Sequence, residues 1–210
     1  MSRFIEKIKE QIPSDFFSSD DLRQLLSITP DSRYGLVKRA LAKGDIIQLR
    51  RGLYVLAQKH RSSPLNVFEV AHKIYSPSYI SLESALSYHG WIPESVPTVT
   101  SVGMKRSKDF RNSLGLFSYS RIPSFNYIGV DREKSWKSVV LIAGPTKALI
   151  DYVQVYKLDW KGKEPLIQSL RIDPISLAGL SENTLLELMA NHKNRRVKSF
   201  IAGILKVIGK

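Results

Sequence analysis

Thr29-Pro30-Asp31-Ser32-Arg33-Tyr34-Gly35-Leu36-Val37-Lys38-Arg39-Ala40-Leu41-Ala42-Lys43-Gly44-Asp45-Ile46-Ile47-Gln48-Leu49-Arg50-Arg51-Gly52-Leu53-Tyr54-Val55-Leu56 reads as a helix followed by a hairpin. The Thr29 hydroxyl can accept a hydrogen bond from an orphan N–H of the first turn, and Pro30 stands at the first helical position, where its missing N–H costs nothing. Gly44 is the expected left-handed terminator. Between these marks Tyr34, Val37, Ala40 and Leu41 recur at i, i+3, i+6 and i+7, which predicts a buried stripe. Ser32, Gly35, Arg39 and Lys43 fall on the opposite side, with Arg33 and Lys38 on the flanks. Two β-prone runs then enclose Arg50-Arg51-Gly52, a basic hairpin tip whose glycine allows the turn.

Upstream of this stretch the helix signals continue. Ser2 can cap a helix reaching about Gln11 that carries Phe4, Ile5, Ile8 and Ile12 on one side, and Pro13 closes it. Ser18 with Asp21 three residues on resembles a capping box, opening a short helix with Leu22, Leu25 and Leu26. Three helices and then a hairpin is the layout of a winged helix-turn-helix, whose second paired helix enters the major groove while the wing straddles the backbone. The candidate DNA-binding residues are therefore Ser32, Arg33, Lys38, Arg39, Lys43, Arg50 and Arg51. Ser32 is a candidate base or phosphate contact, and an arginine at the tip can meet phosphate or a narrowed minor groove. The alternative is a small helical domain with solvated charges. The spacing of caps, the basic front on an apolar back and the Arg-Arg-Gly tip all favour a duplex.

The charge points the same way. The 210 residues hold 32 Lys and Arg against 19 Asp and Glu, a formal charge of +13. A strongly basic globular protein usually meets a polyanion. Residues 1–60, 61–160 and 161–210 carry net charges of +4, +4 and +5, so the surplus is broad. Within it, Arg33 to Arg51 holds six basic residues and one acid, Asp45. A possible second basic patch, Lys193, Arg195, Arg196 and Lys198, opens a helix near the C-terminus. Cations there oppose the helix dipole, which favours an anionic partner. The absence of cysteine excludes a disulfide framework, a thiolate nucleophile and a cysteine zinc site. The charged N-terminus lacks the apolar core of a signal peptide, and the purest apolar run, Val139 to Ala143, is far below the roughly 18 residues of a spanning helix. The expectation is a cytoplasmic protein with no membrane partner.

Downstream, polar stretches at Gln58 to Ser63 and Asp159 to Glu164 mark boundaries. They suggest a DNA-binding unit over 1–60, an α+β unit over 61–158 and a helical extension over 159–210. Ser63 and Pro64 are expected to start a helix with Val67, Phe68, Val70, Ala71 and Ile74. Ser81 can cap a short helix that Gly90 ends. Pro97 to Val102, Leu116 to Arg121, Tyr127 to Val130 and Val139 to Ala143 read as strands. Gly144-Pro145 opens a further helix. In the tail, Ser181 caps a helix through Asn191, and a second from about Asn194 has Val197, Ile201, Ile204, Leu205 and Ile208 on one face. The fold class is α+β: a winged helix-turn-helix, then a mixed α+β domain with C-terminal helices.

Three phrases stand in order: Gly44–Tyr54 (Gly-Asp-Ile-Ile-Gln-Leu-Arg-Arg-Gly-Leu-Tyr), Ser81–Trp91 (Ser-Leu-Glu-Ser-Ala-Leu-Ser-Tyr-His-Gly-Trp) and Pro145–Tyr152 (Pro-Thr-Lys-Ala-Leu-Ile-Asp-Tyr). Together, over roughly residues 1–156, they resemble the AbiEi family of antitoxins, the transcriptional-regulator halves of bacterial type IV toxin–antitoxin systems. The sequence departs from the family pattern at Trp91 and Thr146. The resemblance implies a repressor of its own operon, with the winged helix on repeated operator elements of double-stranded DNA. It also implies opposition to a nucleotidyltransferase-like toxin without a stable complex.

Enzymatic chemistry finds little support. His60, His72, His89 and His192 are far apart and form no H-x-x-x-H pair, so no metal or cofactor is expected. A protein-interaction module that binds the toxin directly is a second reading. A metal-dependent nuclease is a third, through the Asp159-Trp160-Lys161 pair with Asp151 as a second carboxylate, since such enzymes cluster carboxylates around divalent cations. Asp151 lies on an expected helix four residues after Lys147, where an intrahelical ion pair is the simpler explanation. Tyr79, Tyr88, Trp91, Tyr119, Phe125 and Tyr127 can stack on bases, but their strand and helix-edge contexts favour packing.

Overall fold

The computed structural model of the protein describes residues 2–135 and 138–208. Ser2, Ser18 and Thr29 each cap the helix that follows. These helices are α1 (Arg3–Gln11), α2 (Ser19–Leu25) and α3 (Pro30–Ala42). Ser18 and Asp21 complete a capping box, the Asp21 carboxylate accepting from the Ser18 N–H at 2.6 Å while the Ser18 hydroxyl accepts from the Asp21 N–H at 3.1 Å. Gly44 (φ 61°) ends α3, and the Asp45 N–H reaches back to the Ala40 carbonyl at 2.9 Å, the long bond of a Schellman stop.

A three-residue strand that the sequence reading lacked, β1 (Phe16–Ser18), pairs with the hairpin β2 (Ile46–Arg50) and β3 (Leu53–Leu56) in the order β1-β3-β2. The run Leu53-Tyr54-Val55-Leu56 is buried throughout because this sheet is covered on both faces. Tyr54 and Leu56 join Phe17, Ile46 and the helices α1, α2 and α3 in one core. Leu53 and Val55, alternating with them, join Phe16 and Leu49 in a larger core that runs through the rest of the chain. The order α1-β1-α2-α3-β2-β3 fits a winged helix, but its hairpin packs against the body and does not stand free.

After a short 3-10 turn (Gln58–His60), α4 (Val67–Ile74) begins at Asn66, whose side chain accepts from the Phe68 N–H at 2.8 Å. The start expected at Ser63 and Pro64 is corrected to this cap. Next come β4 (Ser78–Ile80), α5 (Leu82–Tyr88), β5 (Thr98–Gly103), β6 (Lys108–Asn112), β7 (Gly115–Arg121), β8 (Val130–Ser135), β9 (Ser138–Ala143) and α6 (Pro145–Val155). The six strands form one mixed sheet in the order β6-β7-β5-β4-β9-β8, with β4 parallel to β9 and β5 parallel to β7. The strand expected over Tyr127 to Val130 is a turn, with Gly129 at φ 68°; the strand starts at Val130.

Helices α7 (Glu164–Leu170), α8 (Glu182–Asn191) and α9 (Arg195–Ile208) complete an α+β architecture, with α8 and α9 packed on α6. The apolar face expected on α9 is buried through Val197, Ile201 and Ile204, with Phe200 added. Ser81 stands at the start of α5, yet its hydroxyl caps nothing and donates to Asp151 Oδ2 at 2.8 Å. The Lys147–Asp151 ion pair exists at 2.9 Å but is fully buried, with the Tyr79 hydroxyl also donating to Asp151 Oδ2 at 2.9 Å. Beside it, His192 Nδ1 accepts from the Asn194 N–H at 3.3 Å, which leaves Nε2 to donate to Gln154 at 3.0 Å; burial and the Lys147 charge lower the pKa of the ring. Among the described residues no helix is long and apolar enough to cross a membrane.

Candidate nucleic-acid interface

α3 buries Val37 and Ala40 against the small core and exposes Ser32, Lys38, Arg39 and Lys43. Ser32, Arg39 and Lys43 fall at i, i+7 and i+11, so they form one row along the helix. That row spans about 16 Å at 1.5 Å per residue. The Ser32 oxygen accepts from the Thr29 hydroxyl at 2.9 Å, which leaves its own proton free to point outward. The Arg39 guanidinium folds back over Gly35, where an added Cβ would lie 3.4 Å from Nη1.

Tyr34 does not belong to the buried stripe. It is 70% exposed and stands on the rim of an open groove between α3 and the hairpin, near Arg33, Lys38 and Gln48. Burial on α3 begins at Val37, and the residues of its first turn stay exposed or half-exposed. Tyr34 and Lys38, four residues apart, are therefore neighbours on an accessible face. Sequence periodicity assigned Tyr34 inward because it steps in register with Val37 and Leu41.

The one acid of the Arg33–Arg51 stretch lies beside Arg39 and Lys43 but is engaged with other cations. Asp45 Oδ1 lies 2.8 Å from Lys59 Nζ and 2.8 Å from His60 Nε2. These two hydrogen bonds, Lys59 first, hold its carboxyl down to about 2. Among the described residues, no carboxylate forms an ion pair with Arg33, Lys38, Arg39, Lys43 or Arg51. The pairing of Asp45 with Lys59 and His60 was not foreseen because those two residues lie beyond the hairpin.

The two arginines of the hairpin tip part company. Arg51 is exposed in the turn with Gly52, which holds φ 75° and whose carbonyl accepts from the Ser19 N–H at 2.9 Å. Arg50 instead donates from Nε to the Ile74 carbonyl at 2.7 Å and from Nη1 to the Arg51 carbonyl at 3.2 Å. It is anchored to the C-terminal end of α4, where a cation also meets the negative end of the helix dipole.

The C-terminal patch is likewise divided. Arg196 Nε donates to Asp159 at 2.7 Å, while Lys193, Arg195 and Lys198 are exposed. Asp159 is thereby engaged with α9, and Asp151 with Lys147, so the two carboxylates considered for a nuclease serve different cations. Among the described residues no group of three or more His, Asp or Glu is placed to hold a metal ion. Tyr79, Tyr119 and Trp91 are buried, whereas Tyr88 and Tyr127 are about half exposed.

Comparison with known proteins adds one similarity. A family model described as transcriptional regulator, AbiEi antitoxin, matches residues 12–57, from the end of α1 to just past β3. No curated protein matches the chain. The match holds α2, α3 and both hairpin strands, and with them every candidate DNA-binding residue of the N-terminal segment. Over residues 12–57 the chain is similar to the family described as AbiEi antitoxin transcriptional regulators.

Proposed function

We propose that the chain is a DNA-binding repressor that autoregulates its operon as the antitoxin of a type IV system. The observation that carries this reading is the exposed face of α3, whose cations form no ion pair among the described residues while Asp45 is paired with Lys59 and His60. In the proposed complex α3 lies in the major groove of an operator repeat. Ser32, Arg39 and Lys43 track one phosphate strand, and Arg33 and Lys38 flank the groove. Tyr34 is the base-reading residue, offering its ring to a thymine methyl or its hydroxyl to a base edge. Arg51 serves the wing tip, and Arg50 holds the wing to α4. Residues 1–60 would thus meet DNA, while 61–158 with the extension 159–210 would carry the opposition to a nucleotidyltransferase-like toxin, without a stable complex and without an enzymatic step. Lys193, Arg195 and Lys198 remain candidates for a separate anionic contact.

The test is binding of the full chain to DNA from its own promoter, by fluorescence anisotropy. Arg39→Ala with Lys43→Ala is expected to weaken binding at least tenfold and to make the salt dependence shallower by about 1.8, at about 0.9 per phosphate. Equal binding by this variant would overturn the placement of α3.

A further inference from the structure

We infer that the duplex surface extends beyond the winged helix onto the β5–β6 turn and the start of β6, where Lys105, Arg106 and Lys108 contact the DNA backbone flanking the wing. This rests on the reading of α3 and the wing as the DNA-binding unit. Three observations support it.

First, the two regions are joined. The Asn112 side chain on β6 donates to the Leu49 carbonyl on β2 at 3.0 Å. Arg50 donates to the carbonyl of Ile74, Lys105 Nζ donates to that of Ser76 at 2.6 Å, and the Tyr75 hydroxyl donates to the carbonyl of Arg106 at 2.9 Å. The wing base and the 104–108 turn therefore converge on the same end of α4.

Second, the turn and strand are exposed and one-signed. Lys105, Arg106, Lys108 and Arg111 are all exposed, with Asp109 the only acid between Met104 and Asn112. Among the described residues none of the four is in an ion pair.

Third, local roles account for only part of this charge. Lys105 neutralises the carbonyl end of α4 as Arg50 does. Lysines often guard the open edge of a sheet, and β6 is such an edge strand, but it is in contact with β2, to which its Asn112 is bonded. Arg106 and Lys108 cap no helix; Lys108 Nζ rests 5.0 Å from the Phe110 ring centre, which holds it on the surface. Unopposed cations beside a wing suit a sequence-independent phosphate contact.

The test compares the wild-type chain with Lys105→Gln/Arg106→Gln/Lys108→Gln on mixed-sequence duplexes of about 14 and about 30 base pairs, a difference of more than one helical turn. The variant's deficit is expected on the longer duplex and to shrink about 40-fold between 50 and 200 mM salt, from three phosphate contacts at about 0.9 each. Circular-dichroism melting checks that the variant is folded, and a variant that melts early is replaced by Arg106→Gln/Lys108→Gln, with two thirds of the change in slope. Equal affinity and equal salt slope at both lengths would overturn the extension alone. If Arg39→Ala/Lys43→Ala binds both duplexes as tightly as wild type, the α3 reading itself fails, whatever the 105–108 variant does.

Discussion

Lys147 and Asp151 are 1% and 0% exposed, so the chain has buried a full ion pair in the helix that follows its last strand. Two charges removed from water are tolerated only when their geometry is good and the remaining lone pairs are filled. Here Asp151 takes the ammonium at 2.9 Å and the hydroxyls of Tyr79 and Ser81 at 2.9 and 2.8 Å. The Tyr79 ring also lies 5.6 Å from Lys147 Nζ, and burial together with the Asp151 charge raises the Tyr79 hydroxyl pKa well above its usual value, so it remains a donor. Lys147→Met leaves a carboxylate with two neutral donors in the core, and Asp151→Asn leaves an ammonium with no counter-charge. Each is expected to cost about 3–5 kcal/mol, since breaking a buried pair strands its partner. For a chain of this size that is a fall in Tm of roughly 6–20 °C. Because each single variant already loses the pair, the double variant is expected to fall short of the sum by about 2 kcal/mol or more. Urea denaturation of the four proteins closes the cycle. A cost below about 1 kcal/mol for either single variant, or strict additivity, would refute the assignment of Asp151 as the anchor joining α6 to β4.

Three further outcomes follow from the interface. Arg51→Ala is expected to weaken DNA binding about three- to tenfold with Tm unchanged, whereas Arg50→Ala is expected to cost about 1 kcal/mol through the lost Ile74 bond; a Tm drop for Arg51→Ala alone would reverse the two roles. Tyr34→Ala should narrow the gap between promoter and mixed-sequence DNA by about 1–2 kcal/mol while leaving the salt slope in place, the signature of base contact over phosphate contact; a shallower slope with selectivity intact would place Tyr34 on the backbone. Asp45 is ionised in the fold down to about pH 2, so its contribution is full above its ordinary value near 4 and lost between there and 2. Asp45→Asn should therefore lower stability at pH 7 and flatten the acid limb of a stability–pH curve in that window, and an unaltered acid limb would show the Lys59 and His60 bonds to be without energetic weight.

The N-terminal unit was legible because its boundaries are written in residues with one mechanism each: the Ser18–Asp21 box, Thr29 before Pro30, and Gly44 where φ is positive. What escaped were features set by tertiary neighbours. β1 holds two apolar residues, too few to show a period, and exists because Val55 and Tyr54 offer it a partner. β6 reads as a charged loop, Lys-Asp-Phe-Arg-Asn, and is a strand because β7 pairs with it along its length. The i, i+4 spacing of Lys147 and Asp151 gave the ion pair but not its depth, which α8 and α9 supply by covering α6. Tyr34 shows the converse: periodicity gives a direction from the helix axis, while burial needs something on that side to cover it. For the same reason the tip arginines looked equivalent until α4 was seen to claim one of them.

The binding surface is most directly tested by the salt dependence of promoter binding for the whole chain. Five cations free to meet phosphate on α3 and the wing (Arg33, Lys38, Arg39, Lys43 and Arg51) predict a plot of log K against log[salt] with a slope near −4.5, steepening to about −7 if Lys105, Arg106 and Lys108 also engage. A slope near zero, or one that Arg39→Ala/Lys43→Ala leaves unchanged, would contradict the assignment of α3 to DNA.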